Sequence, residues 1–254
     1  MHCGSMRPYD GVTYGSSAEM CKKMAQECDV AILAFSTGKD SIAAWLQMRK
    51  YFKTIIPYYC YSVPGLSFVE RSLKYYEDFF GCHIYRIAHR SLYRFLRGGI
   101  YQSPPHIVAL EKNEIPGDEY DDGMIRDLIV DAAHLPSAAY VGTGVRMADS
   151  PMRRIGLTSH GCINHNQKRF YPIYDWKKTD LLKAFDESGV LLPVDYKLFG
   201  RTFDGLDYRF LKPIKEHFPE DYAKIIEWFP MAELEFFRRG ERDGLLGQKR
   251  SEED

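Results

Sequence analysis

The chain has 254 residues, 45% hydrophobic, 14% aromatic and 27% charged, a composition that supports a packed core and excludes disordered and fibrous classes. Lys plus Arg number 34 against 35 Asp plus Glu, so the formal net charge is -1 and nothing draws the chain globally to nucleic acid or to an anionic membrane. No apolar run approaches the roughly 20 residues of a membrane helix, residues 1–11 lack the apolar stretch of a secretory signal, and the six cysteines form no CxxC pair. The expectation is a cytoplasmic protein with no membrane partner and no disulfide framework or thiolate metal cluster.

In chain order, residues 1–18 are rich in Gly, Ser and Tyr without a period and are expected to be flexible, as is the polar tail 241–254. Residues 30–35 form a short continuous apolar run, the pattern of a strand buried on both faces. After a turn at 36–38, Ile42, Ala43, Trp45, Leu46 and Met48 carry an apolar pattern free of Gly and Pro, which predicts a helix on a sheet. The alternation repeats, with strands over 54–62 and 82–87 around a helix over 68–80, then a loop-rich insertion at 98–122. A helix over 124–133, strands over 138–142 and 170–173 and a helix over 178–188 follow.

Strands alternating with helices predict an α/β fold with an open, doubly wound, mostly parallel sheet of five strands. The domain is expected over 19–195, with a helical extension over 196–240 broken near Pro219 and Pro230. In such sheets ligands bind at the carboxyl ends of the strands.

The segment that carries chemistry is Ser36-Thr37-Gly38-Lys39-Asp40-Ser41, where the first strand turns into the first of these helices. A turn there aims backbone N–H groups and the positive end of the helix dipole at one spot, which suits a phosphate. Gly38 permits close approach, Ser36 and Ser41 offer hydroxyls, and Lys39 supplies a cation. Asp40 can hold Mg²⁺ or cap the helix. The spacing is too short for the GxxxxGK[ST] P-loop.

These six residues resemble the PP-loop of ATP pyrophosphatases, in the SxGKDS form of the phosphoadenosine-phosphosulfate (PAPS) reductase-like branch. Residues 141–153 are similar to that branch's G-x-R-x-x-E-S-x-x-R element, and Tyr171-Pro172-Ile173-Tyr174-Asp175-Trp176 with Asp180 to its P-I-x-D-W…D element. The resemblance implies an adenine nucleotide α-hydrolase-like fold that binds ATP or a PAPS-like adenylyl nucleotide with Mg²⁺. It implies that Ser36, Thr37, Gly38, Lys39, Asp40 and Ser41 hold phosphates and that Gly142, Gly144, Arg146 and Arg153 belong to the nucleotide site. Lys39, Asp40 and Arg146 would be catalytic, with Asp40 on the metal. PAPS reductases proper carry a Glu-Cys-Gly-[Ile/Leu]-His motif, whereas no cysteine follows Cys162 in this sequence, so the thiolate of that mechanism is missing.

The expected activity is cleavage of ATP to AMP and pyrophosphate, with adenylation of an acceptor. Two alternatives stand beside it: a sulfonucleotide reductase or sulfur-transfer enzyme, and a non-catalytic nucleotide-binding component of a nucleic-acid modification system. The acceptor is open, with nucleic acid and a partner protein both admissible. Residues 143–169 hold five basic side chains and one acid, Asp149, a composition suited to a leaving pyrophosphate. Arg86, Arg90, Arg94 and Arg97 form a second basic stretch, with Arg90, Arg94 and Arg97 predicted on one helical face. His160, Cys162 and His165 lie within six residues and are candidate metal ligands without a visible fourth. Cys60 is expected near the nucleotide, as an inert thiol.

Overall fold

The computed structural model describes residues 15–112 and 121–239. Of the flexible N-terminus expected over 1–18, residues 1–14 lie outside the described residues, as do the tail expected over 241–254 and the part of the insertion at 113–120; Ser17 and Ala18 are helical instead. The first element is a helix that the periodic reading left out, α1 (Ser17–Glu27), whose start is capped by the Ser16 hydroxyl accepting the Glu19 N–H at 3.2 Å. It buries Met20, Cys21 and Met24 on one face.

Next comes β1 (Val30–Ala34), in which Ala31, Ile32 and Leu33 are fully buried. The helix α2 (Lys39–Met48) buries every residue from Ser41 to Met48, so it is packed rather than merely amphipathic. β2 (Thr54–Tyr61), α3 (Ser67–Phe80) and β3 (Tyr85–Ala88) continue the alternation. Three helices then follow: α4 (Arg90–Arg97), α5 (Pro104–Glu111) and α6 (Asp122–Ala132). β4 (Tyr140–Thr143) returns the chain to the sheet, and α7 (Pro151–His160) leaves it.

Where one fifth strand was expected over 170–173, the chain forms a hairpin of two short strands, β5 (Ile163–Asn164) and β6 (Arg169–Phe170). Its turn is closed by the Asn164 side chain accepting the Gln167 N–H at 3.0 Å, and Lys168 takes a left-handed φ of 46°. The sheet therefore has six strands in the order β3-β2-β1-β4-β6-β5. β1 pairs in parallel with β2 and β4, β4 with β6, and only the β5–β6 pair is antiparallel among the pairings described. The open, mostly parallel α/β sheet is as expected, with one strand more.

Strands β2 and β3 lie on one side of β1, and β4 and β6 on the other. Right-handed crossovers therefore send α2 and α6 to opposite faces and leave a switch point between β1 and β4. Behind it, Trp45 stacks on Phe80 at 3.8 Å and meets Phe35 edge-on at 5.1 Å. Each fully buried Ile or Leu here, such as Ile32, Leu33 and Ile42, contributes about 1.5–3 kcal/mol relative to exposure. α8 (Lys178–Ser188) packs on α2.

The described residues divide into two compact units, one within Met1–Cys60, Leu73–Ile87 and Asp121–Pro193, and the other within Tyr61–Ser72, Ala88–Tyr120 and Val194–Asp254. The second holds α9 (Val194–Phe199), α10 (Tyr208–His217) and α11 (Pro219–Trp228). It is thus built from three stretches of chain, of which the helical extension is one. Phe68, Phe199, Phe203, Phe210 and Phe218 make its aromatic core, with centroids 5.1–6.5 Å apart. At its centre the fully buried Asp221 accepts the Ser67 N–H at 2.8 Å, the Ser67 hydroxyl at 2.7 Å and the Phe68 N–H at 3.3 Å. A carboxylate from α11 thereby satisfies the donors at the start of α3.

Among the described residues, no helix is long and apolar enough to cross a membrane.

Candidate nucleotide site

The site is built at the carboxyl ends of β1 and β4, which the register sets side by side with Ala34 opposite Thr143. From β1 the chain turns through Thr37, whose φ of 56° is unusual for a β-branched residue, and enters α2 at Gly38, where no side chain caps the helix. The Ser41 hydroxyl closes the turn. It accepts the Ser36 N–H and the Ser36 hydroxyl, each at 3.2 Å, and donates to the Gly38 carbonyl at 2.9 Å. Thr37 is buried and donates its hydroxyl to the Ser36 carbonyl at 2.6 Å. Ser36, Thr37 and Ser41 thus shape the turn with their side chains, while the helix dipole points out of it.

Gly144 fixes how close the two strand ends come. A Cβ placed there would lie 2.6 Å from the backbone carbon and oxygen of Asp40 and 2.8 Å from the Ser41 nitrogen, so only glycine fits against the first turn of α2. Gly142 has a packing reason of its own: a Cβ would meet the Met48 sulfur at 2.6 Å and Phe170 at 3.2 Å.

Charge is concentrated just beyond. Asp40 pairs with Lys39 at 2.7 Å through one oxygen and touches Arg146 Nε at 2.8 Å through the other. The Arg146 contact is an ion pair without hydrogen-bond geometry: Asp40 Oδ1 and Arg146 Nε are both buried and unbonded, and so is the Thr143 hydroxyl. Arg146, only 6% exposed, also contacts Asp149 at 2.7 Å. Asp149 accepts the Arg146 N–H at 3.0 Å and Arg153 at 2.7 Å. Arg146 therefore bridges two carboxylates, and Arg153, half exposed, reaches the site through Asp149.

The third motif meets the other two here. Arg146 Nη1 lies 3.5 Å from the Trp176 carbonyl, and the Met147 N–H donates to the Tyr174 carbonyl at 2.8 Å. Asp175 accepts the Ser17 N–H at 3.1 Å, tying α1 to the same segment, and Asp180 accepts the Lys177 N–H at the start of α8.

Reading residues one at a time missed Asp149 and Thr143. The signal for Asp149 was its spacing of three from Arg146 and four from Arg153, which is ion-pair spacing. The rest of the basic run disperses: Arg169 pairs with Asp122 at 2.6 Å and Lys168 donates to the Ser137 carbonyl at 2.7 Å. Arg86, from the second basic stretch, is paired with Glu77.

Among the described residues no group of three His, Cys, Asp or Glu side chains could hold a metal ion. His160 ends α7, Cys162 is buried, and His165 Nδ1 lies 2.9 Å from the Tyr140 hydroxyl. Burial, with Asp122 nearby, pushes the Cys60 thiol up to about 12. Burial, with Glu77, pushes Cys82 up to about 11, and burial also raises Cys21.

No family model and no curated protein sequence matches the chain. Among solved structures it is similar to an NH3-dependent NAD synthetase from Campylobacter jejuni subsp. jejuni NCTC 11168 in complex with the nitrate ion. The likeness covers 86% of this chain and 93% of that one at 11% identity, with a TM-score of 0.46. At such a score the strand order and pairing, not the likeness, establish the fold.

Proposed function

We propose that the chain is an ATP-binding enzyme of the PP-loop type, which seats the phosphates of ATP on the turn at 36–41 and adenylates an acceptor. An acceptor oxygen attacks the α-phosphorus, the bond from that phosphorus to the bridging α–β oxygen breaks, and pyrophosphate leaves with the electron pair. One observation carries this reading: a helix start without a side-chain cap, at the switch point of a parallel sheet, entered through a turn in which Thr37 takes a left-handed φ.

In this reading Lys39 takes the charge that grows on the leaving pyrophosphate. Arg146 holds Asp40 and Asp149 in place, and Gly144 sets the distance between the two strand ends. Mg²⁺ is commonly held by one or two carboxylates together with phosphate oxygens, and here Asp40, exchanging its ion pair with Arg146 for the metal, and the unbonded Thr143 hydroxyl would hold it. Bound there, Mg²⁺ would offset the charge of the polyphosphate.

The sulfonucleotide-reductase alternative needs a thiolate. The raised values of Cys21, Cys60 and Cys82 weigh against any of these serving as one.

The test is calorimetry with ATP, AMP and PAPS, followed by pyrophosphate release across a panel of acceptors. Heat with ATP and acceptor-dependent pyrophosphate are the expected results. No heat with any adenylate would remove the reading, and sulfite release from PAPS with a thiol carrier would replace it with the reductase.

A further inference from the structure

The second basic stretch has no part in the adenylation reading, and the structure gives it a shape. On α4, Leu92 and Leu96 are buried, while Arg90, Arg94 and Arg97 are exposed on the other side. The sequence from 79 to 110 contains no Asp or Glu, so this stretch of chain is basic in composition. Tyr93, on the same helix, lies close enough to Tyr61 to act on it electrostatically.

A second cationic feature belongs to the same unit. An open cleft of about 760 Å³ is lined by Arg209, Lys212, Arg238 and Arg239 against two acids, Asp207 and Glu235, with Tyr208 on its wall. Asp207 pairs with Arg209 and Glu235 with Arg238, each at 2.7 Å, and among the described residues the lining has four basic side chains to two acids. Tyr101, four residues beyond Arg97, donates its hydroxyl to Glu235 at 3.1 Å and joins the loop after α4 to this cleft. Phe237, just before Arg238, is 69% exposed.

We infer that α4 and this cleft form a binding surface for single-stranded nucleic acid. Guanidinium forks match phosphate oxygens and tolerate any sequence. The exposed ring of Phe237, next to Arg238, with the half-buried Tyr93 and Tyr208, gives unpaired bases a face on which to stack, which a duplex cannot use and an acidic peptide does not need. With a net charge of -1 on the whole chain, attraction has to come from such a local concentration. The surface goes beyond the adenylation reading and is tested without ATP, so either can fail alone.

The test is fluorescence anisotropy of the full chain with a labelled, mixed-sequence single-stranded oligonucleotide over a salt series. The triple variant Arg90→Ala, Arg94→Ala, Arg97→Ala should bind about tenfold more weakly, and the slope of log affinity against log salt should fall by about 2, near 0.7 for each phosphate no longer neutralised. Lys212→Ala with Arg239→Ala should weaken binding further, by about threefold. The triple Arg→Lys variant should keep most of the slope, which separates an effect of charge from an effect of fold, and ATP binding should be unchanged in all of them. Undetectable binding by the parent chain would overturn the inference, as would an alanine variant with unchanged affinity and slope. So would equal competition by a duplex or by polyglutamate of matched charge.

Discussion

The starts of α2 and α3 are two answers to one problem, the unsatisfied N–H groups of a helix's first turn. At α3 the chain brings a carboxylate from more than 150 residues away, and Asp221 takes both backbone donors and a hydroxyl. At α2 no side chain caps the turn, and the nearby carboxylate, Asp40, is turned to Lys39 and Arg146 instead. The first arrangement is complete in itself and therefore structural. The second has no side-chain cap and leaves Asp40 Oδ1, the Thr143 hydroxyl and Arg146 Nε buried without hydrogen bonds, and the proposed function assigns this helix start to a polyphosphate.

The sharpest way to break the comparison is to exchange the carboxylates' consequences. Asp40→Ala should lower acceptor-dependent pyrophosphate release by about a hundredfold or more while leaving the melting temperature close to that of the parent. A variant with full turnover would show that the two helix starts do not differ in kind. Asp221→Ala should do the reverse, costing about 2–3 kcal/mol in denaturant unfolding because buried donors lose their acceptor, with the nucleotide affinity of any remaining folded protein unchanged.

Gly144→Ala probes the close approach of β4 to α2. The Cβ would collide with the Asp40 backbone, so stability should fall by about 1–3 kcal/mol and ATP affinity should fall with it. Unaltered calorimetry would mean that the strand end can yield without disturbing the turn.

The smallest effect concerns Glu77, a carboxylate satisfied like Asp221. Burial pushes it up, but Arg86, the Ile84 N–H and His83 outweigh burial and bring it down from 4.5 to about 2. A carboxylate depressed in the folded state stabilises above its unfolded value and loses that contribution as the pH falls toward the folded one. Glu77→Gln should therefore cost about 1–2 kcal/mol at neutral pH, after allowance for solvent screening, and little at pH 2. A difference that stays constant between pH 7 and pH 2 would remove the charge from the explanation.

Much of the first unit was legible because its signals are local. The apolar run at 30–35 followed by the small-residue turn at 36–38 is a strand-to-helix pattern, and the structure keeps it within a residue or two. The exchange of a single expected strand over 170–173 for the β5–β6 hairpin has a local cause as well. The hairpin strands are two residues each, too short to show alternation. The helix α1 was missed although Ser16 and Glu19 stand at capping-box spacing, because mixed composition obscured the Met20, Cys21, Met24 face. The second unit was not legible in advance: Asp221 answering Ser67, and Phe68 meeting Phe199, Phe203 and Phe218, are long-range facts that no window of sequence contains. In the site, the convergence of 36–41, 142–153 and 171–176 followed from topology. Arg146's engagement with two carboxylates did not, since the sequence offered it to phosphate.

Thr37 carries a cost that bears on engineering. A β-branched residue at a φ of 56° sits about 1–2 kcal/mol above its relaxed state. Thr37→Gly would relieve that tension while giving up the buried methyl, the hydroxyl bond to the Ser36 carbonyl and the stiffness of a β-branched residue. On the adenylation reading it would also let the bend loosen into shapes that no triphosphate tail fits, so the tension at this residue would be part of what keeps the turn in one shape.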